Sequence, residues 1–371
     1  MKKVMMVFGT RPEAIKMCPL VLELKKHKEI ECKVCLTGQH IEMLLQVMDA
    51  FALTEDYNLD IMREKQTLTT ITIDILEKLE PVLQKEKPDV VLVHGDTTTS
   101  YVAALAAFYQ KIPVGHVEAG LRTGNIYSPY PEELNRQMTG RIATYHFAPT
   151  KKNQENLLAE NIIDSVYITG NTVIDAFSYT VKKDYVFEAE VLNQIDYHKK
   201  KVIVVTAHRR ENWGAPLENI CQALKRLAKD YPQCEIVYPV HLNSIVRETV
   251  HGILGNISNV KLIHPLDVMD MHNLLSRCYM VMTDSGGLQE EAPAFGKPVL
   301  VLRAETERPE AVEAGTVKVV GVDEAVIYQE AKILLDNQEA YDSMAHAVNP
   351  YGDGHACERI VNILWSEMNG K

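Results

Sequence analysis

Short runs that are apolar at nearly every position, each followed by an amphipathic stretch, do most to restrict the fold open to this sequence. KVMMVF opens the series, and CKVCLT, DVVLVHGD and IPVGHVEAG continue it. Between and after them lie helical stretches: Glu13 to Lys28, a segment carrying Ile71, Ile75, Leu79 and Leu83, Thr97 to Tyr109, and Glu132 to Ala143. A strand with no polar face needs cover on both sides, which a parallel sheet between helices provides. After ITGNTVIDA the series restarts with KVIVVTAH, EIVYPVH, VKLIH, YMVMTDSGG and KPVLVLR, with helical stretches at Leu217 to Lys229, Asn243 to His251 and Leu288 to Ala294. The 371 residues suffice for about two domains. The pattern predicts an α/β protein of two Rossmann-like doubly wound domains facing a cleft, residues 1–169 and 170–355, with a hinge near Gly170. The polar stretch Lys182 to Lys201 falls near that junction. The last helix, 356–368, follows the glycines of YGDGH and is expected to pack back onto the first domain.

Charge and cysteine usage narrow the function classes. Lys and Arg total 39 against 50 Asp and Glu, a net charge of -11, with no long basic stripe. Nucleic acid and anionic membranes are therefore disfavoured partners. No apolar run approaches the ~20 residues of a membrane span. The short apolar run at the N-terminus, met at once by Arg11, Pro12 and Glu13, reads as a buried strand rather than a leader, so a cytoplasmic protein is expected. The seven cysteines are an odd number scattered through predicted elements, unlike a disulfide framework. Cys32 and Cys35 form a CxxC, but within a strand and without a partner pair, so they read as buried apolar residues.

Facing doubly wound domains place their sites at the carboxyl ends of the strands, and polar residues collect there. FGTRPEAIK offers a helix start flanked by Arg11 and Lys16, a candidate anion site. It is not a Walker A loop, and GxGxxG is absent from the chain, which disfavours a bound dinucleotide. Asp96, after VVLVHG, stands where either a helix cap or a functional carboxylate would. HVEAGLRTG carries Glu118, and PEELNRQMTGRIA carries Glu132 and Glu133, one of which suits the helix dipole. Clustered carboxylates near cations suggest proton transfer beside an anionic substrate, with at least one carboxyl raised toward neutrality; the residues do not choose among them. In VTAHRREN, His208 beside two arginines can meet a phosphate or give a proton to a leaving diphosphate. His241, after EIVYPV, is a similar strand-end residue. Ser285, Gly286 and Gly287 present bare amides at a strand-to-helix turn, Glu291 lies one turn on, and Arg303 and Arg308 follow the next strand. Together these point to a nucleotide diphosphate. The His and carboxylate positions lack a metal-ligand spacing, so no metal is expected.

These segments, with TGQH, TGNTVIDA and TERPEAV, run in order from residue 4 to about residue 320 and resemble the non-hydrolysing UDP-N-acetylglucosamine 2-epimerases. The resemblance implies a glycosyltransferase-B type fold and interconversion of UDP-N-acetylglucosamine and UDP-N-acetylmannosamine without a cofactor, by elimination of UDP to 2-acetamidoglucal and re-addition. By motif match, Asp96, Glu118 and Glu132 correspond to catalytic carboxylates and His208 assists departure of UDP. Arg11, Lys16, Ser285, Gly286, Gly287, Glu291 and Arg308 correspond to residues around UDP, as does Met271, where the family usually has an aromatic. The resemblance also implies a homodimer and a second UDP-N-acetylglucosamine as activator, at Gln39, Glu42, Lys65, Arg209 and His241. Glu42 and Lys65 depart there from the family's Gln and Arg. Open alternatives are a 2-epimerase of a modified UDP-sugar, of 2,3-diacetamido uronic acid or 6-deoxy type, and a hydrolysing enzyme releasing free N-acetylmannosamine.

Overall fold

The protein, seen as a computed structural model, is described over residues 1–38, 41–63 and 66–370, apart from the side chains of residues 41–43. It divides into two compact units, Met1–Tyr179 with Tyr351–Lys371, and Thr180–Pro350. In the first unit, strands β1 (Lys2–Phe8), β2 (Ile30–Leu36), β3 (Tyr57–Asn58), β4 (Val90–His94), β5 (Val114–Val117), β6 (Tyr145–Ala148) and β7 (Val166–Ile168) form one sheet in the order β3-β2-β1-β4-β5-β6-β7. All its pairs are parallel. In the second unit, β8 (Lys201–Thr206), β9 (Cys234–Pro239), β10 (Val260–Ile263), β11 (Met280–Thr283), β12 (Val299–Val301) and β13 (Val317–Val319) pair in parallel in the order β10-β9-β8-β11-β12-β13. Both orders reverse beside the first strand of the unit, the doubly wound pattern.

The apolar runs become the buried strands they predict. Met5, Val7, Val91 and Val93 pack under Ile71, Ile75, Leu79 and Leu83 of the helix Leu68–Glu86, and under the helix Thr98–Tyr109. The latter helix buries Ala103, Ala104, Ala106 and Ala107, whose small side chains let it lie close to the sheet. Each fully buried Leu or Ile adds about 1.5–3 kcal/mol, so the strand runs dominate the stability of each unit.

Several boundaries differ from the sequence reading. The first helix begins at Arg11 because Thr10 and Glu13 form a capping box, and it ends at Lys26. The stretch Leu288 to Ala294 becomes a helix Gly286–Glu291 followed by a 3-10 turn Ala292–Phe295, since Pro293 cannot continue the α-helical bonding. The change of unit falls at Thr180 rather than near Gly170. The helix Thr172–Thr180 stays with the first unit because Asp175 accepts hydrogen bonds from the amides of Ala356 and Cys357 (3.1 and 2.8 Å), which open the last helix, Ala356–Gly370. The segment Lys182 to Lys201 belongs to the second unit. There Asp270 accepts from the Tyr185 hydroxyl and from the amides of Glu188 and Ala189. Cys32 and Cys35 are free, as are the other five cysteines, and burial pushes both thiols up to about 12. Among the described residues no helix is long and apolar enough to cross a membrane.

Candidate active site

In the first unit the site residues follow the ends of β4 and β5, which pair with His94 opposite Val117. The chain leaves His94 through Gly95, at φ +63°, and reaches Asp96. Thr97, not Asp96, caps the following helix, its hydroxyl accepting from the Ser100 amide at 3.0 Å. Asp96 is thereby freed from the capping role that the sequence left open. Its Oδ2 accepts instead from Arg136 Nη2 at 2.5 Å, and its carbonyl accepts from Asn135 Nδ2 at 3.0 Å. Burial pushes the Asp96 carboxyl above its ordinary range; Arg136 opposes this and the negative charge of Glu118 adds to it.

Glu118 sits one residue past β5 with φ +63°, a left-handed conformation costly for a residue with a Cβ and held only where the surroundings impose it. Its Oε2 accepts from Asn171 Nδ2 at 2.9 Å, forms a close ion pair with Lys16, and lies 3.7 Å from His94 Nε2. Gly120, two residues on at φ +91°, must be glycine for a second reason, since a Cβ there would collide with the Asn153 carbonyl. Beneath the site, His116 Nε2 bonds the Gly95 carbonyl at 2.7 Å. Burial lowers His116 to about 3, and His94 and His146 to about 4, so all three rings are neutral at neutral pH.

At the start of the first helix the backbone amides are met by the chain itself, so an anion there would rest on side chains rather than on bare amides. The amides of Gly9 and Thr10 donate to Glu13 Oε2 (3.0 and 2.8 Å), the Glu13 amide donates to Thr10, and Lys16 is turned to Glu118. Of the two glutamates, one of which was read as suiting the dipole of helix Glu132–Ile142, Glu133 is fully buried and accepts from the amides of Thr123 and Gly124, from Gln137 and from Arg136. It fixes the loop. Glu132 is half-buried and makes no side-chain hydrogen bond among the described residues.

In the second unit the loop after β8 is braced by Asp284. This fully buried carboxylate accepts from the amides of His208 and Arg209 (both 2.8 Å) and from Asn212 Nδ2 (3.0 Å). His208 Nδ1 lies 3.5 Å from Asp284 Oδ1, and its ring stacks on His241 at 5.3 Å and 7°. Burial lowers His208, Asp284 opposes that, and His241 and Arg209 reinforce it, so the free protein carries it neutral rather than as a ready proton source. The turn after β11 lies bare beneath the arginines. A Cβ built on Gly286 would stand 3.5 Å from Arg308 Nη2 and 3.9 Å from Arg209 Nη2. Ser285, the N-cap residue, makes no side-chain cap bond. Arg308 is held by Glu290 at 2.5 Å, and Glu307 lies 3.6–3.7 Å from Arg209, Arg303 and Arg308. Glu291 faces His272 Nε2 at 3.6 Å, on the helix Val268–Arg277 that carries half-buried Met271. The two glycine amides, two guanidinium groups and a carboxylate suit a diphosphate with a ribose beside it.

Of the remaining sequence candidates, Gln39 and Lys65 lie outside the described residues, as does the side chain of Glu42. Sequence reasoning did not single out Asn171, Asp284, Glu290 or His272. The signal for Asp284 was an Asp directly after an apolar strand; the others touch the site only through long-range folding. Among the described residues no group of three or more His, Cys, Asp or Glu is placed to hold a metal ion.

Residues 22–365 match the family model for UDP-N-acetylglucosamine 2-epimerase. The chain is 57% identical over 363 residues to the UDP-N-acetylglucosamine 2-epimerase of Bacillus subtilis, covering 98% of this chain and 94% of that protein. It is 50% identical to the Neisseria meningitidis UDP-GlcNAc 2-epimerase solved bound to UDP-GlcNAc, with a TM-score of 0.90 over 98% of this chain and all of that one. Likeness to Acinetobacter baumannii MurG, at 15% identity and a TM-score of 0.59, concerns the fold alone, the glycosyltransferase-B type. With most of its length matched by that family model and more than half its residues shared with a relative along nearly the whole chain, this protein belongs to the UDP-N-acetylglucosamine 2-epimerase family.

Proposed function

We propose that the protein interconverts UDP-N-acetylglucosamine and UDP-N-acetylmannosamine by eliminating and re-adding UDP. The observation that carries this reading is the pair of carboxylates at neighbouring strand ends: Asp96, pushed above its ordinary range, and Glu118, held in a strained conformation by Lys16 and Asn171. C2 of the sugar is not adjacent to a carbonyl, so its proton is not acidic enough to be removed by itself. Removal coupled to loss of UDP overcomes this. As the C2–H bond breaks, its electron pair forms the C1–C2 double bond, and the C1–O bond breaks with its pair leaving on UDP. The product is 2-acetamidoglucal, and UDP returns to C1 as a proton is delivered to the opposite face of C2.

One carboxylate takes the proton and the other, on the raised side of its range, gives one back; each such transfer contributes about 100-fold or more. Glu132 tunes or shares this role. Ser285, Gly286, Gly287, Arg308 and Arg11 hold the diphosphate, Glu291 the ribose, and Met271 the uracil face. His208 is neutral without ligand, and the negative charge of a diphosphate beside it favours its protonated form, so that it stabilises departing UDP. A second UDP-N-acetylglucosamine on Arg209 and His241 acts as activator, and two copies of the chain form the working homodimer in the cytoplasm. A sigmoidal rate curve and a sedimentation mass near twice 41.8 kDa are the expected signs of these last features.

Proton NMR of the protein with UDP-N-acetylglucosamine in heavy water, without NAD or metal, tests the reaction. UDP-N-acetylmannosamine carrying deuterium at C2 is the expected product. Free N-acetylmannosamine with UDP would assign the protein to the hydrolysing class instead, and an unchanged spectrum would turn the assignment to a modified UDP-sugar.

A further inference from the structure

His94 faces Glu118, and its chemistry is not used in the reaction described above. It ends β4, is 4% exposed, and presents Nε2 toward Glu118 Oε2 at 3.7 Å. That nitrogen is buried and has no hydrogen-bond partner among the described residues. A buried polar atom left unpaired is costly, so such an atom beside a reacting group calls for a role.

The ring's own main-chain carbonyl favours a proton on Nδ1, the ring nitrogen nearer to it, and in a neutral ring a proton there leaves Nε2 with a bare lone pair. The carbonyl is in turn anchored, since it accepts a close hydrogen bond from the Ser100 hydroxyl. In that form the ring is an acceptor aimed at Glu118. Lys16 and Asn171, which also meet Glu118 Oε2, are donors. Donors suit the carboxylate. A carboxylic acid also has a hydrogen to place, and Nε2 of His94 is an acceptor within reach.

We propose that His94 is a positioning residue for the proton that Glu118 carries during turnover. When Glu118 takes the proton from C2, its O–H turns to His94 Nε2 and the gap closes to a hydrogen bond. The proton stays on Glu118, no further bond breaks, and the same contact keeps it there while Asp96 delivers a proton to the other face of C2. The unpaired nitrogen of the free protein is the vacancy that the protonated intermediate fills. This inference rests on Glu118 acting in proton transfer, as proposed above.

The test compares His94→Phe, which fills the space without an acceptor, with His94→Gln, whose Oε1 can accept at the same reach. The expected result is a kcat at least tenfold below the parent for His94→Phe with KM within threefold, and a kcat within threefold of the parent for His94→Gln. Equal losses in both variants, or a His94→Phe variant within twofold of the parent, would overturn the proposal. Should His94→Phe not fold, nitrogen-15 NMR of labelled histidine in the parent, assigned with His94→Gln, decides. A proton-free Nε2 on His94 is expected, and a protonated Nε2 overturns the proposal. Glu118→Gln run alongside separates the two levels: if it keeps turnover, the role of Glu118 itself fails. If it abolishes turnover while His94→Phe does not change it, only the role of His94 fails.

Discussion

The two units share one strand order and opposite site chemistry. In the first, the strand ends gather carboxylates, Asp96 and Glu118, and cations hold them: Arg136 and Lys16. In the second, the strand ends gather Arg209, Arg303 and Arg308, and carboxylates hold them: Glu307, Glu211 and Glu290. Each unit also uses one buried carboxylate to fix its first site loop through backbone amides. Glu13 takes those of Gly9 and Thr10, and Asp284 those of His208 and Arg209. The sheet thus supplies position and the loops supply charge, and the function proposed above assigns proton transfer to carboxylates of the first unit and most of the diphosphate binding to the second.

Acid should separate the units most strongly. His94, His116 and His146 all lie in the first unit and are lowered to about 4, 3 and 4. Above the unfolded value of about 6.5, both folded and unfolded chains leave these rings neutral and their contribution is complete. Below it the unfolded chain binds protons that the folded unit refuses down to about pH 4. Stability then falls by about 1.4 kcal/mol per pH unit for each buried ring. His208, the lowered histidine of the second unit, has a side chain 41% exposed, and solvent screens it. Hydrogen exchange between pH 7 and 4.5 should show β4, β5 and β6 losing protection before β8 and β11. Equal loss in both would break the contrast.

Turnover should separate them next. Asp96→Asn and Glu118→Gln, folded as the parent, should each lower kcat by about 100-fold or more. Activity within tenfold of the parent would remove the carboxylates from the chemistry. Arg308→Lys is the smaller change, because lysine keeps a charge against Glu290 but loses the fork that grips two phosphate oxygens. UDP should bind about tenfold more weakly with kcat at saturation within threefold. A fall in kcat with unchanged UDP affinity would place Arg308 in the chemical step.

Parallel strands and their burial were legible because a parallel sheet needs apolar residues on both faces, and KVMMVF, VVLVH and KVIVVT carry little else. β6 was missed: it is four residues long, YHFA, and carries a histidine that burial keeps neutral. The catalytic candidates were legible as polar residues just after strands, and the strands that Asp96 and Glu118 follow are neighbours in the sheet. Their partners were not legible. Lys16 to Glu118 spans 102 residues and Asn171 to Glu118 spans 53, distances over which no local pattern reports a contact. The amides of the first helix start, read as part of an anion site, are already satisfied by Glu13 and Thr10. TRPE contains that capping box, and the sequence signature was present but given to a ligand.

The division of labour between the units is tested most directly by titrating UDP into Asp96→Asn and Glu118→Gln by calorimetry while measuring turnover on the same preparations. The predicted result is a UDP Kd within threefold of the parent in both variants, beside turnover lowered about 100-fold or more. UDP affinity falling in step with turnover would show that the carboxylates serve binding, and would contradict the assignment of proton transfer to the first unit and diphosphate binding to the second.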